Sequence, residues 1–320
     1  MRNIKFVLLV VSLFVLTNGF VTNAYAEHSD KKGIRIAASI KPLALLIQEI
    51  MDENDNIDVL LEASQDHHSA QLKPSQRQKV DQADIVFYID DGFELFVKNM
   101  KASDNAHYKY IQMSETPNLR LLSLRKSGEI PHLAHGNSRI GNNDGHNHSG
   151  IDWHLWHNPD NAIVMLRKIR DELTKLRPAK QASYQERFEL FNQHLVRYSY
   201  EKAEMMMKVL DSPFFVLHDG LQYFEEQYGL HSKGIILRHG QTYPSVKHMS
   251  ELQKIRESQG VNIIIKEEQY SDRAIEALSG DEKFKVLVVD SLAQGSFSKH
   301  EDYISYADAI TKRIFEGLKR

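Results

Sequence analysis

Four short segments carry side chains that together suit a metal ion. Asp66-His67-His68 lies in the stretch leading to Leu72-Lys73-Pro74-Ser75. The second is Asp152-Trp153-His154-Leu155-Trp156-His157-Asn158-Pro159. His218-Asp219 follows the apolar run Phe214-Phe215-Val216-Leu217, and Asp290 follows a similar run over 285–289. The chain has no cysteine, which excludes disulfides, thiolate nucleophiles, iron–sulfur clusters and Cys-type zinc sites together. A transition metal here has only His, Asp and Glu to hold it. Three neutral imidazoles and one carboxylate make a good tetrahedral shell for Zn2+, whereas Mn2+ prefers more oxygen ligands. On an extended segment adjacent side chains point to opposite sides, so only one of His67 and His68 is expected to take part. Spacing alone leaves the choice between them open.

These residues need a scaffold that brings them together. Strands are expected over 34–40, 57–61, 84–89 and 108–113, separated by helices near 42–51, 75–82 and 93–101. The second half repeats the alternation, with strands over 214–217, 234–237, 261–265 and 285–289 and helices near 222–228, 245–259, 272–278 and 303–318. Apolar runs such as Val286-Leu287-Val288-Val289 suit parallel strands covered on both faces. The alternation therefore predicts two Rossmann-like α/β lobes. Residues 179–212 contain no Gly and no Pro, and Pro178 stands where a helix can begin. A helix across most of that run would be on the order of 45 Å long, a rigid connection between the lobes. The expected organisation is a signal peptide over 1–26, an N-terminal lobe over 27–178, a linking helix over 179–212 and a C-terminal lobe over 213–320. All four candidate segments lie in loops or at strand ends, two in each lobe. Ligands of open α/β sheets collect beyond the carboxyl ends of the strands, which places the metal site in the cleft between the lobes.

Other features narrow the function. A chain of 320 residues fits two domains, and a formal charge of -3 leaves no basic excess to neutralise phosphates, which argues against a nucleic-acid partner. Arg2 and Lys5 precede an apolar run over 6–16, too short to span a bilayer. Ala24-Tyr25-Ala26 follows as a cleavage site, so export to the periplasm with cleavage after Ala26 is expected. Residues 126–150 are rich in Gly, Asn, Ser and His, including His132, His135, His146 and His148 with Asp144, and read as a solvent loop. Met205-Met206-Met207 is consecutive, so it is no single helix face and reads as packing rather than a copper site. Glu267 and Glu268 follow the run over 261–265, and one of them is a candidate acceptor for a ligating imidazole N–H. Asp219 is either a second such acceptor or a helix cap.

With these residues in place the sequence resembles the ZnuA-type zinc-binding proteins, within the cluster A-I family of periplasmic metal-binding proteins of ABC importers. Ala63-Ser64-Gln65-Asp66-His67-His68-Ser69-Ala70-Gln71-Leu72-Lys73-Pro74-Ser75 resembles the family's first ligand segment, whose histidine lies six residues before this proline; the resemblance selects His68. The segment from Asp152 to Pro159 is similar to the family's D-P-H-x-W-x-x-P pattern and selects His154. The stretch from His218 to Leu230 is similar to the third segment and selects His218. Val288-Val289-Asp290-Ser291-Leu292 resembles the V-x-D-P-L segment and makes Asp290 the fourth ligand or a close neighbour. The similarity covers roughly residues 34–320 in family order. It implies two α/β lobes joined by a long helix and a His-rich loop before the second ligand, the place of 126–150 here. Trp153 and Ser291 stand where the family has proline; neither change removes a ligand atom. Manganese-type relatives commonly carry Glu at the third position, and His218 moves the balance to zinc.

Two classes of function follow. The first is a monomeric periplasmic solute-binding protein, not an enzyme, which captures Zn2+ through His68, His154, His218 and Asp290 and presents it to an ABC permease with its cytoplasmic ATPase. The second is a periplasmic zinc hydrolase with three protein ligands and an open water position. The chain lacks H-E-x-x-H and shows no general-base motif beside the histidines. A zinc or manganese buffer or adhesin with the same site but no transport role is the third reading.

Overall fold

A computed structural model describes residues 33–62, 73–103, 109–125, 150–238, 241, 243–295 and 302–319. The expected signal peptide, His67 and His68, and all four loop histidines lie outside the described residues.

The N-terminal lobe holds strands β1 (Arg35–Ala38), β2 (Asn56–Val59), β3 (Ile85–Tyr88) and β4 (Tyr110–Gln112), ordered β2-β1-β3-β4 and all parallel. Helices α1 (Lys41–Gln48), α2 (Pro74–Gln82) and α3 (Leu95–Ser103) connect them. Every residue of β3, Ile-Val-Phe-Tyr, is buried, as a parallel strand covered on both faces requires. The first helix follows an extended Ile40, takes Pro42 in its first turn and buries Pro42 through Ile47.

The C-terminal lobe repeats the plan. Strands β7 (Phe215–His218), β8 (Ile235–Leu237), β9 (Ile263–Glu267) and β10 (Lys285–Val289) are parallel in the order β10-β9-β7-β8. Between and after them run α6 (Gln222–Tyr228), α7 (Val246–Gln259), α8 (Arg273–Ser279) and α9 (Tyr303–Leu318). The middle of the chain supplies α4 (Pro159–Leu176) and α5 (Gln181–Met206). The sequence reading gave no helix over 159–176, although Asn158 caps it by accepting from the Asn161 N–H at 2.9 Å and Pro159 opens it. The helix observed after Pro178 is 26 residues, shorter at both ends than 179–212, with a 3-10 turn on either side.

A short antiparallel pair, β5 (Leu122–Ser123) with β6 (Ile151–Asp152), closes the two ends of the His-rich stretch. Both ends are tied to the C-terminal lobe. The Tyr223 hydroxyl donates to the Asp152 carbonyl at 2.8 Å and accepts from the Leu122 N–H at 3.0 Å. The last helix, α9, crosses back against α5 and α1. One apolar core consequently runs through both lobes, and a smaller one fills the outer face of the second sheet. Among the described residues no helix is long and apolar enough to cross a membrane.

Candidate metal centre

Two of the expected ligands meet. The His154 and His218 rings lie with centroids 5.3 Å apart and planes at 70°, and both residues are 5% exposed. His218 ends β7, where a parallel strand delivers its last side chain to the sheet's carboxyl edge. His154 stands at the start of the 3-10 turn over Leu155–His157, directly after β6.

Each ring is held by its own buried carboxylate. Asp152 Oδ1 lies 2.6 Å from His154 Nδ1 and also accepts the His154 backbone N–H at 3.0 Å. Glu267 Oε1 lies 2.9 Å from His218 Nδ1. Both carboxylates are 1% exposed. A carboxylate on Nδ1 fixes the proton there and turns Nε2 into the donor nitrogen, the arrangement found behind metal-bound imidazoles. Burial alone would lower the His218 pKa. The Glu267 charge and hydrogen bond, with the charges of Asp219 and Asp152, outweigh it and hold that pKa above its ordinary value. Aromatic rings enclose the pair: Phe93 and Trp156 meet His154 edge-on or tilted, and Tyr270 stacks on His218.

Asp290 follows β10, two strands from β7 with β9 between. It is buried, and its two oxygens accept from the backbone N–H groups of Gln294 (2.8 Å) and Gly295 (2.7 Å). A carboxylate offers about four acceptor sites, so a turn role and a metal role are compatible. The segment holding His154 is stitched to this turn. Trp156 Nε1 donates to the Ser291 carbonyl and to the Tyr306 hydroxyl, each at 3.1 Å, and Tyr306 donates to the same carbonyl at 2.6 Å. His68 lies outside the described residues. The residues bounding its segment, Glu62 and Lys73, form an ion pair at 2.5 Å, and Gln294 Nε2 reaches the Glu62 carbonyl at 3.4 Å. Glu62 therefore stands beside the Asp290 turn. Among the described residues no three His, Asp or Glu side chains stand close enough together to hold a metal ion.

Several residues that shape this centre were not foreseen. Asp152 had a signal, the D-x-H spacing before His154. Arg125 had none. Its guanidinium is buried between Asp219 and Glu225, with Nε 2.9 and 3.0 Å from the Asp219 oxygens, terminal nitrogens 2.9 Å from each Glu225 oxygen, and Ser232 at 3.1 Å. Asp219 is thus the partner of an arginine rather than of a cleft histidine or a helix start. His157 is 7% exposed, and its Nε2 has no hydrogen-bond partner among the described residues. Burial first, and the neighbouring His154 second, push its pKa down to about 3.

The chain matches known proteins over most of its length. A sequence profile described as ZnuA, zinc-uptake complex component A, periplasmic, matches residues 36–317. The high-affinity zinc uptake system protein ZnuA of Haemophilus ducreyi is 27% identical over 289 residues, covering 88% of this chain and 93% of that protein. Among solved structures, a crystal structure of ZnuA superposes with a TM-score of 0.72 at 22% identity, covering 89% of this chain and 99% of the other. The periplasmic zinc-binding protein TroA of Treponema pallidum gives 0.73 at 16% identity, covering 90% and 100%. At such identities the structural likeness speaks for the fold.

Proposed function

We infer how this chain works from one premise: it belongs to the ZnuA family of periplasmic zinc-uptake components. It is a periplasmic solute-binding protein that takes up Zn2+ for an ABC importer, and its membrane partner is that importer's permease. The ion is cargo, so affinity and release matter rather than turnover. The finer assignments are ours. The ligands are His68 and His154 from the N-terminal lobe and His218 and Asp290 from the C-terminal lobe. Export proceeds by cleavage after Ala26, and the mature protein is a monomer that catalyses nothing.

One observation carries the ligand assignment. His154 and His218 come from different lobes, yet their rings are 5.3 Å apart and each Nδ1 is held by a buried carboxylate. Two imidazoles with Nε2 as the donor nitrogen supply half of a tetrahedral zinc shell. The Trp156 hydrogen bond to the Ser291 carbonyl ties the His154 segment to the turn that bears Asp290. The carboxylates nearest the imidazoles bind Nδ1, which leaves them badly placed as general bases and speaks against the hydrolase reading.

The test is a competitive zinc titration of metal-stripped protein, residues 27–320, beside His68→Ala, His154→Ala, His218→Ala and Asp290→Ala, with Mn2+ as comparator. One tight zinc equivalent, strongly weakened by each histidine change and weaker at pH 5 than at pH 7, is expected, because imidazole must be neutral to bind. Zinc binding indifferent to all three histidine changes would sink the assignment.

A further inference from the structure

The turn after β9 grips His218 twice. Glu267, the last residue of β9, takes Nδ1 at 2.9 Å. Three residues on, Tyr270 lays its ring over the imidazole, with centroids 4.8 Å apart and planes 26° from parallel. A single hydrogen bond to Nδ1 sets the tautomer but still allows the ring to rock about that contact. The stacked phenol removes this freedom. Phe93 and Trp156 meet His154 edge-on instead, at 85° and 60°.

The turn that carries Tyr270 is fixed independently of the histidine. The Tyr270 N–H donates to the Glu267 carbonyl at 3.3 Å. The ammonium of Lys266, a residue only 8% exposed, donates to the Tyr270 carbonyl at 2.8 Å and pairs with Asp272. The Glu268 N–H donates to the Val289 carbonyl at 3.1 Å, one residue before Asp290. The phenol is therefore placed by the sheet edge itself, beside the strand end that bears Asp290.

We propose that Tyr270 is a positioning residue for zinc capture: its ring face holds the plane of His218 in the orientation that meets His154. The proposal rests on His218 being a zinc ligand. An imidazole bound to a dication is drained of electron density, and the electron-rich phenol face then attracts it more strongly. The contact with His218 is made by the ring face.

The experiment compares wild type, Tyr270→Phe, Tyr270→Leu and His218→Ala in the full mature chain. Zinc affinity is read by chelator competition, release by stopped-flow, and ligand geometry by the visible absorption of the Co2+-loaded protein. Apo stability is read by urea unfolding. Tyr270→Leu should bind zinc about 10-fold more weakly, the lower end for loss of an outer partner of a metal ligand. The loss should fall mainly in faster release, with an altered Co2+ spectrum. Tyr270→Phe should match wild type in all readouts. If His218→Ala loses zinc while Tyr270→Leu binds as wild type, the positioning role is overturned and the zinc site stands. If Tyr270→Phe is as weak as Tyr270→Leu, the ring face is not the cause and the proposal falls. An unchanged Co2+ spectrum, with affinity lost only in step with apo stability, overturns it too. If His218→Ala binds zinc normally, the ligand assignment fails and takes this inference with it.

Discussion

Adding one methyl group at Gly220 tests the centre without replacing any ligand. A Cβ there would lie 2.3 Å from Glu267 Oε1 and 3.1 Å from His218 Nδ1. Carbon and carboxylate oxygen need about 1 Å more than the first of these distances. Glu267 is 1% exposed, so its carboxylate has little room to go sideways. Moved about 1 Å straight away from the new Cβ, Oε1 would stand about 3.4 Å from Nδ1, so the 2.9 Å contact is stretched past the ordinary N–H···O range of about 2.7–3.2 Å. Gly220 is not among the residues with positive φ, so alanine fits the backbone and the loss cannot be charged to strain there. Removing an outer partner of a ligating imidazole lowers metal affinity about 10- to 100-fold, or about 1.4–2.8 kcal/mol at 25 °C. The assay is zinc competition against a chromophoric chelator for wild type, Gly220→Ala, Glu267→Gln and the double variant. The single changes should weaken zinc by similar factors, and the double by no more than the larger of them, because both remove one contact. Wild-type affinity in Gly220→Ala, or fully additive losses, would refute the reasoning.

His157 should be a liability to stability rather than a ligand. Its pKa of about 3 lies far below the ordinary value near 6.5, so below pH 6.5 the unfolded chain takes up a proton that the folded chain refuses. Stability contributed above pH 6.5 is then lost as pH falls toward 3, at about 1.4 kcal/mol per unit, or about 2 kcal/mol between pH 7 and pH 5. Urea unfolding of the apo protein should show this loss in wild type and not in His157→Leu, while zinc affinity stays unchanged; parallel pH profiles would contradict the assignment. Arg125→Met leaves Asp219 and Glu225 buried with no counter-charge and should cost about 3–5 kcal/mol, most of it recovered by adding Asp219→Asn and Glu225→Gln. A stability equal to wild type in the single variant would show that the two acids find other relief.

The sheets were legible because apolar runs such as 85–88 and 285–289 admit little but a buried parallel strand. His218 was legible as the residue at the carboxyl end of such a strand, whereas His154, which follows the short antiparallel pair, was singled out by the likeness of its segment to the family pattern. What escaped was set by contacts distant in sequence. Arg125 meets Asp219 across 94 residues, and His218 meets Glu267 across 49. Either acid could equally have been a solvated strand-end residue or a cap. Only the folded chain distinguishes Glu267, which holds a histidine, from Asp219, which holds an arginine. The helix over 159–176 was missed for a different reason. Its start signals, Asn158 and Pro159, coincide with the end of the ligand segment, where the same residues also fit the family pattern.

The same contacts constrain how zinc enters and leaves. Opening the lobes like a hinge would have to part Trp156 from Ser291 and Tyr306, and Trp156 is 1% exposed within a core shared by both lobes. It would also have to pull β6 from Tyr223 and Arg125 from its two acids. Separating one buried ion pair already costs several kcal/mol, comparable with much of a domain's stability. Side-chain and local loop movement around a fixed frame is far cheaper. Zinc binding should accordingly leave the radius of gyration of the mature protein unchanged in solution scattering. Trp156→Phe keeps an aromatic ring but removes the indole N–H; with the Tyr223 and Arg125 ties still in place, it too should show no zinc-dependent compaction. A wild-type protein that closes measurably on zinc would show instead that these stitches break at little cost, and that affinity is set by lobe closure rather than by the frame.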